Sequence, residues 1–173
     1  TQKLDSLADR LMYRSAYRNR QGVQSIVLNH AVTPGNGAAS GIRWYEIRVS
    51  STGTFSLAQQ GTFAPDTNAR WMGSAAMNGA GTIGIGYSVS SGTVRPGIRF
   101  SGRCLTDPSG TLQNETVAVA GGGSQLSSLS RWGDYASMVV DPSDDRTFWF
   151  TSEYLQQNGT FNWSTAIVPI TFT

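Results

Sequence analysis

An internal repeat constrains the fold of this chain more strongly than any other feature of its sequence. Three copies of a run that opens with Arg and a large apolar residue begin at Arg10, Arg70 and Arg131, about 60 residues apart. A fixed period of this length indicates that one structural unit recurs along the chain. The 173 residues therefore hold three units in a single domain, residues 1–173.

Each copy contains short apolar runs separated by turn-forming residues. The second runs occupy residues 25–32, 82–89 and 147–154, and the third runs occupy residues 41–47, 97–100 and 165–168. Fourth runs occur in the first two copies, at residues 54–59 and 116–120, whereas the third copy has none. Helical periodicity is absent from the sequence. The sequence therefore predicts an all-β fold of short antiparallel strands.

Four short antiparallel strands per copy are typical of a β-propeller blade. We predict three blades, at about residues 10–64, 70–121 and 131–173. A β-sandwich would need a similar number of strands, but it gives no reason for a regular repeat with the same opening. The propeller is therefore the preferred interpretation.

An arc of three blades would leave two apolar blade faces exposed, whereas propellers close with about four to eight blades. We therefore expect a homodimer in which two copies of the chain complete a six-bladed ring. Residues 1–7 lie outside the repeat and are expected to serve as a closing strand for the third blade. The alternative is that the chain is an excised part of a longer propeller.

The composition excludes several classes of function. With 39% hydrophobic and 14% charged residues, the chain has the profile of a folded domain. A net charge of +2 is too small to predict binding to nucleic acid or to a membrane surface. Cys104 is the only cysteine, which excludes an intrachain disulfide and a thiolate metal cluster. Because 12 of the 13 basic residues are Arg, recognition of carboxylate or phosphate is favoured.

Three stretches carry a resemblance to known proteins: residues 70–73 (Arg-Trp-Met-Gly), 131–135 (Arg-Trp-Gly-Asp-Tyr) and 141–149. They resemble repeats in the propeller regions of large secreted bacterial proteins. The resemblance implies a propeller fold and a secreted or extracellular location. Residues 143–148 (Ser-Asp-Asp-Arg-Thr-Phe) are also similar to the Asp-box turn of sialidase-type propellers, but lack its Gly. A hairpin turn stabilised by Asp side chains is the alternative.

In a propeller, the first strand of each blade would run down the channel and the second strand would run back up. The starts of the first strands and the ends of the second strands would then meet at one mouth of the channel. We expect this mouth to bind a small ligand. The candidate catalytic residues are His30, Glu153, Asp134 and Tyr135. The candidate substrate-binding residues are Arg10, Arg14, Arg70, Arg131 and Tyr154. The candidate metal ligands are Asn29, His30, Asp134 and Glu153, a donor set that suits calcium or another divalent metal.

Some of these residues have a structural alternative. His30 is the only histidine, and a lone histidine often serves as a hydrogen-bonded structural residue. Arg70 and Arg131 are followed by Trp, and arginines at a repeated position often pair with carboxylates or stack on a neighbouring ring, which would lock blades together.

The mixture of imidazole, carboxylates and guanidinium groups favours an enzyme over a simple binding site. We predict a hydrolase of small anionic, ester or phosphoester substrates of the phosphotriester type, metal-assisted and promiscuous, with no organic cofactor. The predicted ring is similar to six-bladed calcium-dependent phosphotriesterases and lactonases, in which Asn, Asp and Glu hold the metal. The alternatives are a non-catalytic glycan- or protein-binding module with contacts at Trp163 and Tyr154, and a sialidase-like glycosidase that uses Tyr135 and Glu153.

Overall fold

The computed structural model describes residues 3–8, 10–11 and 13–172, and its regular structure consists of β-strands. In chain order the strands are β1 (Ala16–Arg20), β2 (Val23–Val32), β3 (Gly41–Val49), β4 (Phe55–Phe63), β5 (Ala69–Met77), β6 (Ile83–Ser90), β7 (Gly97–Arg103), β8 (Thr116–Val119), β9 (Ser137–Val140), β10 (Phe148–Tyr154) and β11 (Ser164–Ile170). The predicted all-β class is confirmed. The described part of the chain contains no helix with the length and apolar character needed to cross a membrane.

The strands form three antiparallel sheets that follow chain order. The first sheet contains β1 to β4, the second β5 to β8, and the third β9 to β11. Within each sheet, neighbouring strands are consecutive in the chain, so each copy of the repeat forms one up-and-down meander. The third sheet has three strands, which agrees with the missing fourth run in the third copy of the sequence.

The openings of the three copies do not form equal first strands. Strand β5 spans the whole opening of the second copy, whereas β1 and β9 begin late in theirs. Before β9, Gly133 and Asp134 both have positive φ angles, 67° and 64°. Two successive left-handed residues turn the chain, so the extended structure begins only after them. Strand β5 contains one such residue, Met72, next to a shift in its register with β6.

The N-terminal segment, as far as it is described, forms no strand within the chain. The backbone N–H of Asp5 donates a hydrogen bond of 2.7 Å to the carbonyl of Ser130, which attaches the segment to the opening of the third copy. The expected closing strand, residues 1–7, includes Thr1 and Gln2, which lie outside the described residues. It stays a prediction.

The second sheet lies between the other two and packs against both. On one side, Val27, Ile42 and Trp44 of the first sheet share a buried cluster with Ile85 and Tyr87 of the second. These side chains are almost completely removed from solvent. Alternate residues of each strand point toward this core, because successive side chains of a strand lie on opposite faces. Burial of each large apolar side chain contributes about 1.5–3 kcal/mol.

On its other side, the second sheet packs against the third through very close contacts. Phe148 and Phe150 of β10 are fully buried in this core. They face Gly84 and Gly86 of β6, where an added Cβ would lie 3.1 Å and 2.5 Å from the respective rings. The two glycines therefore make the space that the two phenylalanine rings fill.

The first strands of the three sheets lie side by side. Strand β5 contacts both β1 and β9. Together with residues 13–15, these strands line a groove of about 340 Å³. Ser137 Oγ donates a hydrogen bond of 3.1 Å to Tyr13 Oη across this groove. The structure thus has three meanders packed in sequence around their first strands.

The first and third sheets each keep one face turned away from the second sheet. The outer face of the first sheet carries Tyr17, Ile26, Leu28, Tyr45, Ile47, Phe55 and Leu57. The outer face of the third sheet carries Val139, Trp149, Thr151, Glu153, Ile167 and Pro169. Several of these are unusually open for apolar side chains: Phe55 is 65% exposed, Leu57 53% and Ile167 71%. Each of these two faces therefore carries several exposed apolar side chains.

Candidate functional site

Arg70 is held in a buried ion-pair network between the first and second sheets. Its guanidinium makes a bidentate contact with Glu115, at 2.9 Å and 2.7 Å, and a further contact of 2.7 Å with Asp66 Oδ1. Arg99 and the hydroxyl of Tyr87 also donate to Glu115. Arg70 itself is 0% exposed. Of its two proposed roles, these contacts favour the structural one, in which the arginine pairs with carboxylates.

The network shifts the ionisation of its acidic members. The hydrogen bond from Arg70 holds the pKa of Asp66 down at about 2. Burial opposes the charge on Glu115, but the hydrogen bonds from Arg70 and Arg99 outweigh it and lower the pKa of that carboxyl. Burial raises the pKa of the Tyr87 hydroxyl. Both carboxylates are therefore charged at neutral pH, as a buried arginine requires.

Three of the predicted site residues meet in a cleft of about 270 Å³ beside Trp132. The cleft is lined by Arg131, Trp132, Gly133, Asp134, Glu153, Phe161 and Trp163. Arg131 forms an ion pair with Asp134, and the N–H of Gly133 donates a hydrogen bond of 3.0 Å to Glu153 Oε2. Tyr135 follows directly but is 70% exposed and is not part of the lining.

Glu153 has an unusual environment for a carboxylate. Burial raises its pKa, the nearby negative charge of Asp134 adds to the increase, and the hydrogen bond from Gly133 only partly offsets both. A carboxyl group with a raised pKa in a cleft is a candidate for acid–base chemistry.

The walls of this cleft are fixed by buried hydrogen bonds. The indole N–H of Trp132 donates a hydrogen bond of 3.0 Å to Ser88 Oγ of the second sheet. The indole N–H of Trp163 donates a hydrogen bond of 2.7 Å to Gln125 Oε1. The left-handed pair Gly133 and Asp134 turns the chain at this point, which directs the Gly133 N–H toward Glu153. The cleft therefore depends on contacts between residues that are far apart in the sequence.

His30 and Asn29 lie elsewhere, on opposite sides of β2. His30 is on the outer face of the first sheet, where its ring stacks on Tyr45 and its Nε2 is 3.1 Å from the Tyr45 hydroxyl. Asn29 is buried against the second sheet, and its amide is oriented to donate to the Gly73 carbonyl and to accept from the Ala75 N–H, each at 3.2 Å. Neighbouring residues of a strand point to opposite faces, so these two cannot bind one ion together.

The remaining predicted residues are also separate from the cleft beside Trp132. Arg14 lines the groove between the first strands, with its guanidinium 5.3 Å from the Tyr13 ring. Arg10 is exposed in the N-terminal segment. The hydroxyl of Tyr154 accepts a hydrogen bond of 3.0 Å from Gln156. Within residues 3–8, 10–11 and 13–172, no three His, Cys, Asp or Glu side chains form a cluster that could hold a metal.

A larger cleft, of about 600 Å³, was not predicted from the sequence. Its polar lining includes Ser40, Thr67, Ser90, Ser91, Ser124 and Gln125, and Trp71 and Leu126 add apolar surface. It lies between the N-terminal segment and the loops that follow β2, β4, β6 and β8. The only signal in the sequence was the richness of these loops in Ser and Gly.

Comparison with models of protein families, with curated proteins and with solved structures finds no match to this chain.

Proposed function

We propose that the chain forms three blades of a β-propeller and that two copies close a six-bladed ring. The three meanders pack in sequence around their first strands, as blades do around a channel. The groove between the first strands would be one half of that channel.

The two outer faces support closure by a second copy because they correspond to faces that already pack inside the chain. The face of the second sheet that carries Ile85 packs against the first sheet. In the same way, the face of the third sheet that carries Phe150 packs against the second sheet. The corresponding side of the first sheet, with Leu28, is its outer face. The outer face of the third sheet likewise corresponds to the side of the second with Gly86.

The mass in solution tests this ring directly. Sedimentation should give about twice the chain mass of 18.6 kDa. A soluble monomer at all concentrations would rule out closure by a second copy. A larger, open assembly would show that the faces associate without closing.

We propose further that the cleft beside Trp132 is the active site of a hydrolase of small ester or phosphoester substrates. The observation that carries this proposal is the half-buried Glu153 carboxyl, held by Gly133 N–H beside Asp134 and Arg131. In this role Glu153 accepts a proton from the attacking water. Arg131 is 67% exposed and has several N–H donors, so it retains donors for an anionic substrate group.

A metal would have to be held differently from the predicted set. Asp134 and Glu153 share the cleft, whereas Asn29 and His30 lie on the first sheet and on opposite sides of β2. Within one chain the four predicted donors therefore do not fit a single ion. The chemistry proposed here is assigned to acid–base groups, and activity with and without EDTA tests the contribution of a metal.

A panel of chromogenic phosphotriesters, esters and glycosides tests the hydrolase. With a substrate that turns over, Glu153→Gln should lower kcat/KM by about 10²-fold or more, because the amide cannot accept the proton. The loss of rate at low pH, caused by protonation of Glu153, should also disappear. Glu46→Gln, which changes a buried carboxylate that is hydrogen-bonded to Ser25 and Gln59 and ion-paired with Arg48, is the control. It lies on β3 and does not line the cleft, so it should keep its rate within about twofold. Equal losses in both variants would contradict a catalytic role.

The larger cleft supports a second candidate, a non-catalytic glycan-binding module. Its hydroxyl and amide groups, with the edge of Trp71, provide hydrogen bonds and apolar surface of the kind that binds a neutral polyhydroxylated ligand. Binding of oligosaccharides, combined with no turnover of any substrate in the panel, would favour this function over the hydrolase.

A further inference from the structure

A polar cluster interrupts the apolar outer face of the first sheet near the end of β2. Arg43 donates hydrogen bonds to Gln60 Oε1 and, at 3.0 Å, to Thr62 Oγ1. Its guanidinium carbon also lies 5.3 Å from the centre of the Tyr45 ring. His30 stands opposite Arg43 in the β2–β3 register. We call His30, Arg43, Tyr45 and Gln60 the outer polar cluster.

A matching cluster is buried between the first and second sheets. Arg99 and Tyr87 stand opposite each other in the β6–β7 register, as Arg43 and His30 do in the first sheet. Arg99 follows Gly-Ile and precedes an aromatic residue, as Arg43 does. Arg99 donates a hydrogen bond to Glu115, which lies just before β8. Arg43 likewise donates one to Gln60 of β4.

The two clusters differ in charge. The acceptor in the buried cluster is the Glu115 carboxylate, which pairs with Arg70 and Arg99. The acceptor in the outer polar cluster is the neutral amide of Gln60. No carboxylate of the described residues pairs with Arg43. The outer polar cluster therefore presents a guanidinium that has no carboxylate partner among the described residues. A carboxylate from outside the chain would form an ion pair with it.

The outer face of the third sheet offers such a carboxylate. Glu153 lies near the C-terminal end of β10, as His30 lies near the C-terminal end of β2. Among the described residues it has no ion-pair partner, and it receives a backbone hydrogen bond from Gly133. It is also half-buried, so the lack of a cation makes its charge costly. The two outer faces are thus complementary in charge as well as in apolar character.

We propose that Glu153 of one copy docks against Arg43 and His30 of a second copy when the ring closes. This inference rests on the proposed pairing of two copies. It places an imidazole and a guanidinium from the second copy beside the cleft at Trp132, so each proposed active site would be built from two chains. A ring with two-fold symmetry would contain this contact twice.

Charge exchange between the faces tests the contact. Glu153→Arg alone and Arg43→Glu alone should each weaken the homodimer by at least about tenfold, because both contacts then bring like charges together. Mixing the two variants should restore association, since the heterodimer has one reversed pair and one native pair. The double variant should recover a homodimer for the same reason. Sedimentation with one variant fluorescently labelled measures all of these.

The outcomes separate this inference from the ring itself. Arg95→Glu, which makes the same charge change in the exposed β6–β7 loop, is the control and should leave the dimer intact. A wild-type dimer that neither single variant weakens would overturn the Glu153 contact and leave the ring standing. Variants that weaken the dimer but do not recover on mixing would also overturn it. A wild-type monomer would contradict both proposals.

Discussion

Trp71 and Trp132 occupy the same position in two successive copies of the repeat, but among the described residues only the indole N–H of Trp132 has a hydrogen-bond partner. The indole N–H of Trp132 donates to Ser88, whereas that of Trp71 is buried with no partner among the described residues. The residue of the first sheet that corresponds to Ser88 is Ala31, since each is paired with the isoleucine of a Gly-Ile-Arg sequence. An alanine has no acceptor to offer. One side chain therefore accounts for the difference.

Ala31→Ser should stabilise the protein by about 0.5–1.5 kcal/mol, because the new hydroxyl can accept the unpaired N–H of Trp71. Urea unfolding at fixed protein concentration measures this change. Ala75→Ser is the control, since it buries a hydroxyl in a different core cluster and should destabilise by about 1–3 kcal/mol. Equal destabilisation by both substitutions would show that Trp71 gains no bond.

Residue-level chemistry was predictable from the sequence where the partners are close in the chain. The hairpin turn stabilised by Asp side chains is confirmed: Asp144 Oδ1 accepts hydrogen bonds of 2.8 Å and 2.9 Å from the N–H groups of Arg146 and Thr147. The network of Arg70 was not predictable in the same way, because Glu115 lies 45 residues away, in the loop just before β8. Its identity as the partner depends on tertiary packing.

At the level of strands, β6 and β10 make a close contact between the second and third sheets. Gly86 allows the Phe150 ring to lie directly on the backbone of β6. The runs that form β2, β6 and β10 were predicted from the sequence because each is a short apolar run that follows a turn rich in chain-breaking residues. The late start of β9 was not predicted, because it depends on two left-handed residues whose conformation is fixed by the contacts around Trp132.

Gly86→Ala should destabilise the protein by about 1–3 kcal/mol, since the new Cβ would lie 2.5 Å from the Phe150 ring. Thermal or urea unfolding measures the loss. Gly92→Ala is the control, because open space surrounds that position, and it should be nearly neutral. Adding Phe150→Leu to Gly86→Ala should recover part of the stability. If Gly86→Ala and Gly92→Ala were equally stable, the proposed close packing of β6 on β10 would be wrong.

For the whole molecule, the exposed outer faces are the feature that most needs an explanation. An isolated domain rarely leaves side chains such as Phe55 and Ile167 more than half exposed on flat sheet surfaces. The repeat predicted that such faces would exist, because three blades are too few to close. Which side chains lie on each face could be read only from the strand register, which the sequence pattern left open by several residues.

Leu57→Glu should convert the proposed dimer to a monomer without unfolding the chain, because Leu57 is 53% exposed in the single chain and would be buried in the proposed ring. Sedimentation measures the association, and circular dichroism checks the fold. Leu105→Glu makes the same change at a side chain that is 48% exposed but lies away from both outer faces, so it should leave the dimer unchanged. A dimer that survives Leu57→Glu would place the interface elsewhere.

The division of the chain into whole meanders would also limit how the proposed ring could evolve. Duplication of one meander would lengthen each chain by one blade, and a ring of two chains would then grow by two blades at once, from six to eight. Both sizes lie within the range of about four to eight blades that closes. One duplication could therefore enlarge the proposed ring in a single step and keep its proposed two-fold axis, whereas a seven-bladed ring would require two different chains or a fusion of them.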